Sequence, residues 1–393
     1  MEAPINAPRR MCPKELNILG EVLNTLYNDF KFNHTFICSM YRKKLPLLRK
    51  FRTVYVMNDT LMYKLKSGKP SKGKYFVKSF LKNLVPPCFY HAQGKRMLKA
   101  LEQRSDKEYI LDRVNYYNRY DAPFTLPQET WHKRNGGIFH FLDRISAFKL
   151  STFHSAYFFD FKDATRWFND QCRVAYVPGD VYFTPEVPAF VKSRLLSNDN
   201  SNSVLLKLDK WRHFMFVNDT KPWSEKCDKA IFRGKIRWSR QRTQFLEMYF
   251  NHPMCDCGVV GNEDVNPEWK QPKKTIQEHL DYKFIMALEG NDVATNLKWV
   301  MSSNSLAVMP RPTCETWFME GRLIPNVHYV EIKSDLSDLE ERMNYYINHP
   351  DEAQIIIENA HQFVKQFVDD ERENLIQFLV VQKYLKQSGQ NNP

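Results

Sequence analysis

The chain has 393 residues, 43% of them hydrophobic and 14% aromatic, with a formal net charge of +12. This is enough apolar material for more than one domain-sized core, and the aromatic content excludes a disordered chain. The basic surplus suits an anionic ligand, a nucleic acid or an anionic membrane surface, and does not choose among them.

At the N-terminus, MEAPINAPRRMCPKELN lacks the apolar stretch of a secretory leader, and no later run nears the ~20 apolar residues that span a bilayer. The cysteines are scattered, and Cys255 and Cys257 form only a C-x-C pair with no second pair at metal-ligand spacing. The expectation is a cytoplasmic chain with reduced thiols, touching a membrane only peripherally. Leu16 to Leu26 has helical apolar spacing. Arg42 to Arg52 is a basic cluster, and Val54 to Lys66 alternates as a hairpin turning at Asn58-Asp59. Residues 67 to 80 read as an exposed loop. Gly68 to Lys74 fits Gly-x-x-x-x-Gly-Lys, but Tyr75 stands where a phosphate-binding loop needs Ser or Thr, so that motif is rejected.

Residues 91 to 120 are helical in pattern, with a break at Asp106. Ile138 to Leu142 and Tyr157 to Phe161 are apolar runs, and Ala164 to Phe168 a short helix. Cys172 to Val177 is a buried strand, which leaves Asp180 just past its carboxyl end in a Pro-Gly-Asp loop. Leu205 to Leu208 and Phe214 to Val217 are short strands or buried turns. A second domain opens with the strand Ala230-Ile-Phe, ending at Arg233-Gly234, followed by a basic helix and a loop region over 251 to 275. Tyr282 to Leu288 is a strand, Glu289-Gly290-Asn291-Asp292 a turn, Val293 to Met301 a helix and Leu306 to Met309 a strand. Strand, glycine turn, helix, strand is the repeating unit of an α/β domain, whose ligands sit at strand carboxyl ends. Tyr329 to Ile332 is a further strand. Helices follow over Asp338 to Ile347, Asp351 to Phe367 and Glu371 to Leu385.

Four constellations carry chemistry. Arg233, at a strand end beside Gly234, can clamp a phosphate with its guanidinium fork, whereas Arg240 and Arg242 are expected on a solvated face. Asp292 is placed to cap the following helix, whose N–H groups and Lys298 can meet a phosphate. An exposed lysine is an equal reading of Lys298. Asp180 can accept a proton from an attacking hydroxyl, although a lone turn aspartate is the commoner case. Glu315 and Trp317, after a strand and among aromatics, offer a carboxylate and a flat face to a sugar. Neither a D-x-D pair nor a His-rich metal pattern occurs, so no metal ligand is expected.

Four blocks in one order then carry a resemblance. They are Val174 to Asp180, Ala230 to Gly234, Asp281 to Trp299, and Glu315 to Leu336. The chain resembles the CAP10-like, lipopolysaccharide-modifying glycosyltransferases, glycosyltransferase family 90, related to protein O-glucosyltransferases. The likeness covers about residues 150 to 375. It implies a GT-B type α/β fold, with two Rossmann-like domains facing across a cleft. The expected division is 1–205 on the acceptor side with a helical N-terminal extension, 206–375 on the nucleotide-sugar side, and 376–393 as helix end and tail.

The resemblance also implies an inverting, metal-independent enzyme with no cofactor. It would move a hexose or pentose from UDP-glucose, UDP-xylose or UDP-galactose to a glycan or glycolipid hydroxyl of lipopolysaccharide or capsule. Asp180 falls on the family's catalytic aspartate and Arg233 on its phosphate-binding arginine. The donor set implied is Arg233, Gly234, Arg237, Glu289, Gly290, Asn291, Asp292, Thr295, Asn296 and Lys298. The protein-modifying branch carries arginine where this chain has Asn296, which moves diphosphate neutralisation onto Arg233, Arg237 or Lys298. The rival readings are a non-catalytic glycan- or nucleic-acid-binding protein of the same fold, and a retaining enzyme. The absence of any nucleic-acid-binding module argues against nucleic acid as a partner.

Overall fold

The computed structural model describes residues 71–135, 138–150, 155–197, 199–261 and 263–390. The helix expected over Leu16 to Leu26, the Arg42 to Arg52 cluster and the hairpin over Val54 to Lys66 lie outside the described residues. The described chain falls into two compact units, 71–86 and 87–390.

The first unit contains helix α1, Lys72–Lys82. A loop was expected here. Ser71 instead caps a helix, its Oγ accepting from Lys74 N at 3.2 Å, and Phe76, Val77, Phe80 and Leu81 then recur at helical spacing.

The second unit opens with α2, Pro87–Leu101, and α3, Lys107–Tyr117, separated at the expected break. A mixed sheet follows. Strands β1, Trp131–Asn135, and β2, Ile138–Arg144, form an antiparallel hairpin. Helix α4, Ser155–Thr165, leads to β3, Arg173–Val177. Strands β4, Ala189–Val191, and β6, Ser203–Leu205, add in parallel, giving the order β1-β2-β3-β4-β6. Between them β5, Ser193–Leu195, leaves the sheet and pairs antiparallel with β11, Cys314–Thr316. This small ladder straps the first half of the unit to the second.

The second sheet is wholly parallel. It comprises β7, Cys227–Gly234; β8, Cys255–Val259; β9, Tyr282–Met286; β10, Leu306–Met309; and β12, Val330–Glu331, in the order β12-β10-β9-β7-β8. Parallel strands are covered on both faces, so they read as continuous apolar runs, as β9 and β10 do. Helix α5, Arg240–Tyr249, buries Phe245 and Leu246 in one cluster with Phe232, Cys257 and Phe284. Helices α6, Leu339–Asn348, and α7, Pro350–Lys365, complete this half. Helix α8, Asp370–Gln387, returns to the first sheet, where the Tyr384 hydroxyl accepts from Ala175 N at 3.1 Å and donates to Pro188 O at 2.7 Å.

Several expectations change. The region 251–275, read as loop, contains β8, while of the two readings of Phe214 to Val217 the strand is not formed and Met215 is buried. Tyr157 to Phe161 lies in α4, which ends at Thr165 rather than continuing to Phe168. The helix expected over Val293 to Met301 is one turn, Leu297–Val300. The expected division at residue 205 falls at the end of β6, and that at 376 cuts through α8. No helix among the described residues is long and apolar enough to cross a membrane.

Candidate functional site

β3 delivers Asp180 through Pro178-Gly179, where Gly179 has φ 109°, a left-handed value that glycine adopts without steric cost. Asp180 stands a third exposed at the end of the first sheet's parallel strands. Its Oδ1 accepts from Lys192 Nζ at 2.5 Å, and its Oδ2 from Asn291 Nδ2 at 3.2 Å. Lys192 extends from the end of β4 and is 2% exposed. Its ammonium also meets Asp292 Oδ2 at 2.8 Å. Ser193 accepts from Val181 N at 3.1 Å and donates to the same Asp292 oxygen at 2.6 Å. One buried lysine thus joins the catalytic candidate of the first half to the 289–292 turn after β9 in the second.

The charges follow from this geometry. Burial pushes the Asp180 carboxyl up, but the Lys192 charge and the hydrogen bonds from Lys192 and Asn291 outweigh it and hold the group below the usual carboxylate range. Burial pulls the Lys192 pKa down. Asp292, Tyr157 and Asp180 together keep its pKa above the ordinary lysine value. Around neutral pH Asp180 is therefore an anion and Lys192 a cation.

The 289–292 turn is fixed from the other side by α5. Ser239 Oγ donates to Glu289 O at 2.8 Å, and Glu289 N donates to Gln241 Oε1 at 3.1 Å. Arg242 donates from Nε and Nη2 to Leu288 O at 3.1 and 2.8 Å, and from Nη1 to Lys235 O at 2.9 Å. Its guanidinium lies where a Cβ on Gly290 would come within 3.0 to 3.2 Å of it, so the close approach depends on glycine. Burial lowers the Arg242 pKa, and the nearby Asp292 and Glu263 charges partly restore it. Glu289 itself is structural: its carboxylate accepts from Thr313 N, Thr313 Oγ1 and Cys314 N at 3.0, 2.6 and 3.2 Å.

The other sequence-derived residues divide. Gly234 closes β7, and Arg237 is exposed in the loop beyond it. Thr295 is half-buried, and Asn296 donates to Met286 O at 2.9 Å. Asp292 does not cap the short helix as expected, because its side chain is taken by Lys192 and Ser193. Arg233 pairs with Asp256, which Tyr282 also holds. Its remaining donors go to Asp256 O at 2.9 Å, Phe232 O at 3.0 Å and Pro272 O at 3.3 Å. Lys298 is 0% exposed and pairs with Glu320 at 2.5 Å.

Glu315 and Trp317, expected against a sugar, are also 0% exposed. Glu315 accepts from Arg194 Nε at 2.7 Å across the β5–β11 ladder. Trp317 stacks on Tyr117 at 3.8 Å between centroids and donates to Glu373 at 2.6 Å. Both are interior residues that tie the halves together. Among the described residues, no three His, Cys, Asp or Glu side chains converge as a metal site would need.

Sequence reasoning missed Lys192, Ser193 and Arg242. The signal for the first was a lysine inside the apolar stretch Pro188 to Leu196, where only a buried partner can hold it.

With this geometry established, the chain can be compared with known proteins. The profile of glycosyl transferase family 90 matches residues 205–388. The O-glucosyltransferase LpsA of Dichelobacter nodosus is 38% identical over 315 residues, covering 80% of this chain and 95% of that protein. Human protein O-glucosyltransferase 1 is 28% identical over 156 residues, 37% of this chain and 38% of that protein. Human protein O-glucosyltransferase 3 is 27% identical over 173 residues, 42% and 34% of the two chains. The chain is a glycosyltransferase. It belongs to glycosyl transferase family 90, and the expected family membership holds.

Proposed function

We propose that the protein is a GT-B type, inverting enzyme that moves a hexose or pentose from a UDP-sugar to a hydroxyl of a lipopolysaccharide, capsule or related glycan. The similarity to LpsA, an O-glucosyltransferase, favours UDP-glucose over UDP-xylose and UDP-galactose as donor. The observation that carries the reading is the Lys192 bridge. It sets the Asp180 carboxylate against the Asn291-Asp292 turn at the carboxyl end of β9, where α/β folds receive nucleotides.

The reaction is a single displacement. Asp180, already anionic, takes the proton of the acceptor hydroxyl through Oδ2, the oxygen with the longer of its two hydrogen bonds. The acceptor oxygen bonds to C1 of the donor as the C1–O bond to the diphosphate breaks. The base needs no raised pKa when proton transfer accompanies attack on an oxocarbenium-like centre. Lys192 keeps the carboxylate charged and aimed, which makes it a positioning residue.

Stabilisation of the leaving diphosphate falls first on Arg242. Three of its five N–H groups go to backbone carbonyls, and it lies on Gly290 of the turn. Arg237, Thr295 and Asn296 complete the donor side. Arg233 and Lys298 would have to leave Asp256 and Glu320 to touch phosphate, so their part is to hold the scaffold. Arg242 therefore takes the role first expected of them. The chain reaches its acceptor as a cytoplasmic enzyme at the inner membrane face, where the net charge of +12 favours anionic glycolipid.

The test is proton NMR of the product formed from UDP-α-glucose and a lipopolysaccharide core oligosaccharide. A β-linked glucoside with release of UDP is expected. An α-linked product, or no UDP release with any UDP-sugar, refutes the reading.

A further inference from the structure

The basic surplus is not spread through the chain. Residues 1–101 hold 20 of the 57 lysines and arginines and 5 of the 45 acidic residues, whereas residues 102–393 hold 37 and 40. The part of the chain that carries the reaction centre is therefore slightly acidic, and the net charge of +12 comes from the residues before it. From Thr60 to Leu101 there are ten lysines and arginines and no aspartate or glutamate. Even with every acid of residues 1–101 paired within that segment, 15 of its cations stay in excess.

Helix α1 gathers this charge on one side. Lys74, Lys78 and Lys82 recur at i, i+4 and i+8 and form a single stripe, with Phe76, Phe80 and Leu81 on another arc. Lys72 and Lys74 are exposed, and Lys78 and Lys82 half-buried. Two features of this charge work against the helix itself. Like charges at i, i+4 repel, and the first turn holds lysines and no acid, where the helix dipole favours the opposite sign. An anionic surface along the stripe offsets both.

The four cations of α1 are all lysines, compact charges on long apolar stems. None is an arginine, whose rigid fork suits nucleic acid and single phosphates. Four lysines on an amphipathic helix match the diffuse negative charge of a bilayer surface. The apolar arc is half-buried to buried, so the attraction is mainly Coulombic and sensitive to salt.

We infer that α1 is a docking element for an anionic bilayer surface, separate from the residues that carry the reaction. The inference rests on the membrane-face reading above and names the part of the chain that makes the contact.

The experiment uses the full chain in three forms. They are wild type, a triple variant Lys74→Gln, Lys78→Gln and Lys82→Gln, and a triple variant Lys74→Arg, Lys78→Arg and Lys82→Arg. Each is floated, without donor, with vesicles of phosphatidylcholine or of phosphatidylcholine and phosphatidylglycerol in equal parts. Wild type should float with the anionic vesicles only and be released by high salt. The glutamine variant should bind them roughly a hundredfold more weakly. The arginine variant keeps the charge and should bind like wild type, which separates lost charge from lost folding. Transfer to a soluble core oligosaccharide should stay within twofold in all three, while transfer to a glycolipid in anionic vesicles falls in the glutamine variant.

Equal flotation of wild type with neutral and anionic vesicles overturns the inference, as does undiminished binding by the glutamine variant. So does capture of a random-sequence DNA duplex that the glutamine variant loses while its vesicle binding is unaffected, which would make the stripe a nucleic-acid surface. If wild type floats with anionic vesicles but transfers no sugar, the docking stands and the reaction assigned above fails. If sugar is transferred and nothing floats, the reaction stands and the docking fails.

Discussion

Replacing Lys192 by Met removes the cation between the two halves while nearly conserving volume. Asp180 Oδ1 and Asp292 Oδ2 lie 2.5 and 2.8 Å from the same nitrogen, so they are no more than about 5.3 Å apart. Two unit charges at that spacing repel by about 3 kcal/mol at an effective dielectric of about 20. Stranding a buried charge by deleting its partner costs about 3–5 kcal/mol in general.

The sign with pH follows. In the wild type the folded Asp180 pKa is depressed, so its contribution to stability is present above the unfolded carboxylate pKa and lost as pH falls through the folded one. Without Lys192, burial and the neighbouring carboxylate raise the folded pKa above the unfolded value. The variant is then weakest at neutral pH and regains stability as pH falls through that raised pKa.

Melting curves from pH 5 to 8 should show the wild type–variant gap largest at pH 8 and narrowing toward pH 5. The acid limb of turnover should move toward neutrality. A variant with wild-type melting temperature at pH 8 and an unmoved acid limb would refute the bridge.

Two further substitutions separate binding from scaffold. Arg242→Ala should weaken UDP binding by at least about tenfold by calorimetry, whereas Arg233→Ala should lower the melting temperature and change UDP affinity less than twofold; the reverse pattern would return the phosphate role to Arg233. Lys298→Met strands the buried Glu320 carboxylate, so a stability loss of about 3–5 kcal/mol with unchanged UDP affinity is expected in melting and binding assays.

Local pattern revealed much of the fold because the second sheet is parallel and buried. Tyr282 to Met286 and Leu306 to Met309 are apolar runs that could only be core strands or buried helix, and the glycine turn between them chose. The edge strand Cys-Asp-Cys-Gly-Val escaped because its residues have little β-propensity, and pairing to β7 alone makes it a strand. The helix after Asp292 was overread for a tertiary reason. Asp292 and Asn296, two good cap residues, spend their side chains on Lys192 and Met286 O instead of on helix N–H groups.

The same limit governs the site. Sequence marked Asp180 and the 289–292 turn, each legible from its own neighbours. It could not show that Glu315 meets Arg194, Lys298 meets Glu320 or Arg233 meets Asp256, since each cation's role depends on a carboxylate the fold brings to it. Nor could it show that Arg242, assigned to a solvated face, lies on Gly290.

The measurement closest to the central claim is sugar transfer by Asp180→Asn set beside its UDP binding. The substitution keeps the shape that Lys192 and Asn291 surround and removes the proton acceptor. UDP affinity within twofold of wild type, with turnover reduced by about 10²–10⁴-fold, is the predicted result. Transfer at the wild-type rate would contradict it.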